Sequence, residues 1–260
     1  MGTSPRRRPA GALTADLPGG ANMILRPSVT AFVFSSFVMS VLTAAYAPPA
    51  FSLTNDQAKC VNGINKAGAK VAATQGKENS TCVKDAASGN TDACVVADSK
   101  DKVSGAEAKT VDAQAKCMGS PPFGFTSANA ANTAAITEEL ALLSGIYGSP
   151  VHGAMLSDHD GATCQASVTK AYEKLASTRL KSFNGCKKEG IKFGGTINSA
   201  TGLQVCMSGA QAADPKLKVA GALTKLGDTV TGKCANTALA TAFPGCSASA
   251  GSAATLTSCP

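Results

Sequence analysis

The sequence predicts an all-α protein: two disulfide-stapled antiparallel helical hairpins, a linking apolar helix and a cysteine-closed tail. Three observations carry this. The 260-residue chain is rich in alanine and lysine, both good helix formers, and has no tryptophan and only three tyrosines. Its ten cysteines, an even number, all lie after an N-terminal apolar run. The pattern "CVNGINKAGAKVA" from Cys60 returns as "CQASVTKAYEKLA" from Cys164.

Residues 1–52 read as a signal peptide with a polar N-terminal extension. Ser28 to Ala47 carries no charge and follows Arg26, the basic-then-apolar order of a secretory signal. The residues before it are polar and Gly/Pro-rich, so Met23 is a second candidate start. Arg7-Arg8 stands too far from the apolar run for a twin-arginine signal. Ala50-Phe51-Ser52 is the expected cleavage site, because Pro48 disfavours a cut after Ala45-Tyr46-Ala47. An uncleaved anchor is the alternative, since about twenty apolar residues span a bilayer. Cleavage removes Arg6, Arg7, Arg8, Arg26 and Asp16, leaving 20 basic and 16 acidic residues, a balance of +4 instead of +7. That is too mild for nucleic-acid binding, which needs a dense basic face. No second apolar run follows, so no transmembrane segment is expected after signal removal, and the protein is expected to be secreted or periplasmic.

Residues 53–126 form the first four-cysteine unit. Cys60, Ile64, Ala67 and Val71 step by 4, 3, 4, one apolar stripe of a helix with the first cysteine on it. The 22 positions from Cys60 to Cys82 turn about 2200°, close to whole turns, so both cysteines face one way unless the helix breaks at Gly76. Asp98 reads as the N-cap of a second arm, with Asp101 three residues on as in a capping box. Its stripe is Val103, Ala106, Thr110, Ala113 and Cys117. "PPFGF" then reads as phenylalanines capping the hairpin core.

Residues 127–162 hold the linking helix and a loop. Ile136, Leu140, Leu143 and Tyr147 step by 4, 3, 4, with Glu138 and Glu139 off the stripe and Gly148 and Pro150 as the stop. This is the most hydrophobic face after the signal, so the helix is expected between the two hairpins. Residues 163–245 repeat the first unit. Cys164, Val168, Ala171 and Leu175 make one stripe, and Val219, Leu223, Leu226, Val230 and Cys234 make the other. Asp214 is the expected N-cap, with Pro215 at the first helical position. The offset between copies is 104 up to the second cysteine and 116 after Asp98, so twelve extra residues lie between Cys186 and Asp214. An internal duplication with a loop insertion accounts for this. Residues 246–260 are a low-complexity tail bounded by Cys246 and Cys259.

Two arms of similar length, packed antiparallel, bring the first cysteine of a unit to its last. The expected pairs are Cys60 with Cys117, Cys82 with Cys94, Cys164 with Cys234 and Cys186 with Cys206, leaving Cys246 for Cys259. Geometry allows such bridges only where Cα atoms come within about 7 Å. An exported chain with an even cysteine count reads as disulfide-bonded, and the absence of Cys-x-x-Cys argues against a zinc or thiol-redox site.

"QAKCVNGINKAGAKVAATQGKENSTC", "CVVADSKDKVSGAEAKT" and "PPFGFT" together resemble an uncharacterised family of secreted bacterial Lys/Ala/Cys-rich duplicated helical proteins. The resemblance spans most of the chain after the signal. It implies export and brings no substrate, site or cofactor with it. The nested pairing also resembles the twin-cysteine hairpins of the mitochondrial intermembrane space, in folding logic only.

The motifs of familiar chemistry are missing. There is no Gly-x-Ser-x-Gly, no phosphate loop and no Gly-x-Gly-x-x-Gly. The two histidines, His152 and His159, with Asp158 and Asp160, are the only metal candidates, and a polar turn before Cys164 is the simpler reading. Carboxylates look scattered, with no pair to suggest a glycosidase. The repeated lysines Lys66, Lys70, Lys100, Lys102 and Lys109, with Lys170, Lys174, Lys216, Lys218 and Lys225, read as a solvated face that can meet an anionic surface. Asn79-Ser80-Thr81 matches a glycosylation sequon. No cofactor is expected. The function expected is a non-catalytic structural or binding role outside the cytoplasm, on an anionic surface or another extracytoplasmic protein. A small-ligand or metal carrier is the alternative, and a hydrolytic enzyme comes last.

Overall fold

Thr54 sets the start of the first long helix. Its hydroxyl accepts from Gln57 N–H at 3.2 Å while its own N–H donates to the Gln57 side chain at 3.0 Å, a reciprocal capping box. From there α1 runs unbroken through Asn55–Asp85. The helix does not break at Gly76: the glycine lies buried inside a continuous helix, where it makes room for a neighbouring side chain. The computed structural model describes residues 52–86, 98, 100–192, 194–204, 206, 214 and 216–246. The expected signal segment lies outside these residues, as do most of the tail and Pro215.

Four more long helices follow: α2 (Lys102–Ala115), α3 (Ala128–Tyr147), α4 (His159–Ile191) and α5 (Lys218–Lys233). Among the described residues there is no strand. Ser127 caps α3, accepting from Ala130 N–H at 3.2 Å, and Asp158 caps α4, accepting from Gly161 N–H at 2.7 Å. Tyr147 ends α3, and Gly148 follows at φ 75°, a left-handed conformation that glycine adopts without penalty.

Asp98 and Asp214 are not N-caps in the usual position. The helices they serve begin four residues later, behind Asp101 and Leu217, which hold left-handed backbone at φ 50° and 49°. In each case the chain first closes a turn, Asp101 N–H to Asp98 C=O and Leu217 N–H to Asp214 C=O. The aspartate carboxylate then reaches over that turn to the free N–H groups. Asp98 accepts from Val103 and Ser104, and Asp214 from Lys218, Val219 and Ala220. Asp101 makes no side-chain cap bond, so the expected capping box is absent.

The arms are also unequal. α1 has 31 residues against 14 in α2, and α4 has 33 against 16 in α5. The surplus length of the two long helices is spent on each other. α1 packs against α2, α3 and α4, and α4 also packs against α5. The α1–α4 pair is antiparallel. Asn65 C=O accepts from Asn184 at 3.4 Å near one end, and Gly76 meets Glu173 further along. The hairpins therefore touch directly, and α3 flanks them rather than separating them. It runs parallel to α1, with Ala131 beside Gly68 and the Glu139 backbone bonded to Asn79.

The buried stripe of α3 also differs from the expected one. Ala128, Asn132, Glu139, Leu143, Ile146 and Tyr147 are buried, so Glu139 lies on the stripe, not off it. Its position at a step of four from Leu143 puts it there.

Three apolar clusters form the interior. The largest joins Val83, Leu143, Tyr147, Val168, Tyr172, Leu175, Leu226, Val230 and Phe243 among others. A second joins Leu53, Ala58, Val61, Phe123, Ile191, Ile197 and Cys206. The third is small: Val71, Val103 and Ala106, with Ala135 and Ile136 against them.

Disulfides join Cys60 to Cys117, Cys164 to Cys234 and Cys186 to Cys206, with Cα separations of 5.0, 4.8 and 5.7 Å. Cys82 and Cys246 are disulfide-bonded as well. The expected partners Cys94 and Cys259 lie outside the described residues. Bridges that close loops of 57 and 70 residues restrict the unfolded chain by about 4 kcal/mol each in the chain-entropy model.

Candidate functional site

The residues singled out for metal binding are not brought together. Asp158 uses its carboxylate to cap α4, His159 and Asp160 occupy the exposed first turn, and His152 is exposed on a separate 3₁₀ turn, Val151–Ala154. Among the described residues no group of three or more His, Cys, Asp or Glu side chains is arranged to hold a metal ion. The repeated lysines, from Lys66 and Lys70 on α1 to Lys225 on α5, are all exposed. Lys102 is tied to Glu78 at 3.0 Å across α2 and α1. Among the described residues no helix is long and apolar enough to cross a membrane.

The sequon residue Asn79 is fully buried. Its side chain accepts from Gln75 at 2.8 Å and donates to the Glu139 carbonyl at 3.2 Å, so the folded protein does not offer it for glycosylation. "PPFGF" is an anchor: Phe123 is buried with Leu53 and Val61 from the first half and Ile191, Ile197 and Cys206 from the second.

Beside the Cys60–Cys117 staple lies an open groove of about 480 Å³, lined by Lys59, Lys109, Lys116, Asp112 and Met118 among others. Lys59 is engaged with Asp56 at 3.1 Å there.

A tighter cluster lies where α1, α3 and α4 meet. Glu139 from α3 is 8 % exposed. Glu173 from α4 turns its carboxyl towards it, into the space left by Gly76. A methyl group at Gly76 would collide with the Glu173 carboxyl and stand 3.2 Å from Glu139 Oε2. The expectation of scattered carboxylates is thus corrected: two of them, 34 positions apart in sequence (173 − 139), form a pair, with Glu139 buried and Glu173 half-buried. Glu139 Oε2 is buried and receives no hydrogen bond from any neighbouring nitrogen or hydroxyl. Such an orphaned acceptor is costly unless a donor is supplied. A proton shared by the two carboxyls would supply it.

The electrostatics agree. Burial pushes the Glu139 carboxyl above its ordinary range, although its hydrogen bond with Glu173 works the other way. Burial also raises Glu173, and the Glu139 carboxyl adds to the rise, taking it up to about 9. Two carboxyls in hydrogen-bonding contact do not both ionise near neutrality. Tyr172, one residue before Glu173, is pushed up to about 12 by burial.

Two further buried polar arrangements brace the ends of α4. Gln165 donates to the carbonyls of Ala154 and Ala242 at 2.7 and 2.8 Å and accepts from Leu156 N–H at 2.9 Å, which ties the 3₁₀ turn and the C-terminal segment to α4. Beside it the Tyr147 hydroxyl meets Thr169 at 2.5 Å and donates to the Gln165 carbonyl at 3.1 Å. Near the other end Lys187, 7 % exposed, donates to Asn65 Oδ1 at 3.2 Å, and burial lowers its pKa.

Fold and site together define a disulfide-stapled helical bundle with an acid pair in its interior. No family model, curated protein or solved structure matches the chain.

Proposed function

We propose that this is an exported protein with a non-catalytic structural or binding role outside the cytoplasm. The observation that supports it best is the state of its cysteines: every described one is bridged. Disulfides of this density persist in oxidising compartments and are rare where thiols are kept reduced. The apolar run before the described residues and the resemblance to secreted Lys/Ala/Cys-rich proteins point the same way. A duplicated hairpin is the scaffold, and it presents exposed lysines to an anionic surface or an extracytoplasmic partner.

Fractionation of the exporting host, with alkylation of free thiols before lysis, tests this. The expected result is protein outside the cytoplasm with no alkylated cysteine. Cytoplasmic protein with alkylated thiols would overturn export. Native mass spectrometry of the same material tests the non-catalytic binding role against the carrier alternative. A stoichiometric small ligand or metal retained on the protein would favour the carrier.

A further inference from the structure

The structure assigns to Glu139 and Glu173 the role of a proton-held latch: the pair clamps α3 and α1 to α4 while it keeps a proton, and releases that seam when both carboxyls ionise. The argument starts from position. Along α3 the pair interrupts the apolar stripe between Ile136, which packs on the small Val71–Val103–Ala106 cluster, and Leu143, which belongs to the largest cluster. It therefore sits between two apolar regions, at the one point where the seam is acidic.

Among the described residues, the groups around it offer no compensating charge. From α1 the pair meets Gly76, and Asn79, which accepts from Gln75, donates to the Glu139 backbone rather than to a carboxyl. The nearest acid along α1, Glu78, is engaged with Lys102 of α2. On α3 Glu138 is exposed, and on α4 Lys170 and Lys174 are exposed, while Lys225 of α5 is exposed as well. Tyr172 is the remaining buried titratable neighbour, and burial keeps its hydroxyl protonated. The other carboxyl is the one charged group that acts on each member of the pair.

None of the three bridges with both cysteines described crosses the seam. Cys60–Cys117 closes α1 on α2, and Cys164–Cys234 closes α4 on α5. Loss of the shared proton to solvent leaves two carboxylates facing each other, one of them on a buried side chain. Each outer staple and the apolar clusters on either side stay in place, so the change is a local parting of α3 and α1 from α4 around the pair and not a general unfolding.

Two measurements on the intact disulfide-bonded protein test the latch. Carboxyl-carbon NMR titration of the wild type reads the proton directly: one step of the pair is expected well above the ordinary carboxylate range, and two ordinary midpoints would overturn the proposal. Hydrogen-exchange protection factors then follow the amides of α3 around Glu139–Leu143. Between about pH 6 and about pH 10 they should fall by about tenfold or more in the wild type and by less than about twofold in Glu173→Gln, with α5 unchanged in both. Glu139→Gln serves as a second variant, with helicity at about pH 5 as the check that each is folded. Equal loss of protection in wild type and both variants, or no loss in the wild type, overturns the latch.

Discussion

Gly76 shows how one missing side chain shapes the interior. In a helix interior alanine is favoured over glycine by about 1 kcal/mol. Here the extra methyl would displace the Glu173 carboxyl, the end of a flexible side chain, and break up the acid pair, so the usual gain is offset: Gly76→Ala is expected to leave stability within about 1 kcal/mol of wild type, read by denaturant unfolding. A variant stabilised by the full helix-propensity gain would mean that Glu173 swings out at no cost. The acid pair also sets a pH dependence. Glu173 has its folded value raised, to about 9 against an ordinary 4.5. Such a group supports the fold fully below its unfolded value, and that support is lost as pH rises through the folded value. Thermal stability should therefore decline between about pH 4.5 and about pH 9, and Glu173→Gln should flatten that decline. A wild-type protein that gains stability over this window would contradict the raised value. Asp98 has the opposite sign. The Ser104 N–H, ahead of the opposing effect of burial and the further help of Val103, holds its carboxyl below the ordinary value, so its support is lost only in acid.

At the scale of elements, helix starts and staples decide what survives. Asp98→Ala leaves the first N–H groups of α2 without their acceptor and should cost about 1 kcal/mol, with exchange at Val103 and Ser104 accelerating first. The two outer staples support very different cores. Around Cys164–Cys234 lie Val168, Tyr172, Leu175, Leu226 and Val230, whereas the α1–α2 hairpin has Val71, Val103 and Ala106. Removing Cys60–Cys117 by paired alanine substitution should lose more helicity than removing Cys164–Cys234, read by circular dichroism; the reverse order would refute this ranking of the cores. The helices were legible because period, glycine and proline are local signals: the stripe through Cys60, Ile64 and Val71 and the stop at Gly148 need no tertiary knowledge. The caps were less so. Asp98 and Asp214 stand at matching places, but the left-handed turn through Asp101 and Leu217 depends on backbone geometry that neither residue type advertises. Charge alone suggests exposure, and Glu139 is the exception. Its stripe position was visible at the step to Leu143, but its partner on α4 was not, because pairing across helices follows from register.

For the whole molecule the register of α1 on α4 matters most. Paired positions have nearly constant sums, 65 with 184 and 76 with 173 both giving 249. Asn65 and Lys187 brace one end of this contact. Asn65→Ala would leave a buried ammonium without its acceptor and should cost about 1–3 kcal/mol. Lys187→Met, which keeps the packed stem and removes the buried charge, should be close to neutral or stabilising. Calorimetry of both variants checks the contrast, and equal losses would mean that Lys187 contributes through its charge. The placing of the disulfides also has a mechanical meaning. α3 is the one long helix that none of the three described disulfide loops encloses. A molecule pulled from its two ends therefore keeps both hairpins shut and yields first along the stretch from Cys117 to Cys164, which is 47 residue steps (164 − 117). At about 3.4 Å per residue that stretch has a contour length of about 160 Å when fully extended. Under tension the molecule is two rigid beads on an extensible cord, with α3 coiled in the cord as its reserve of length.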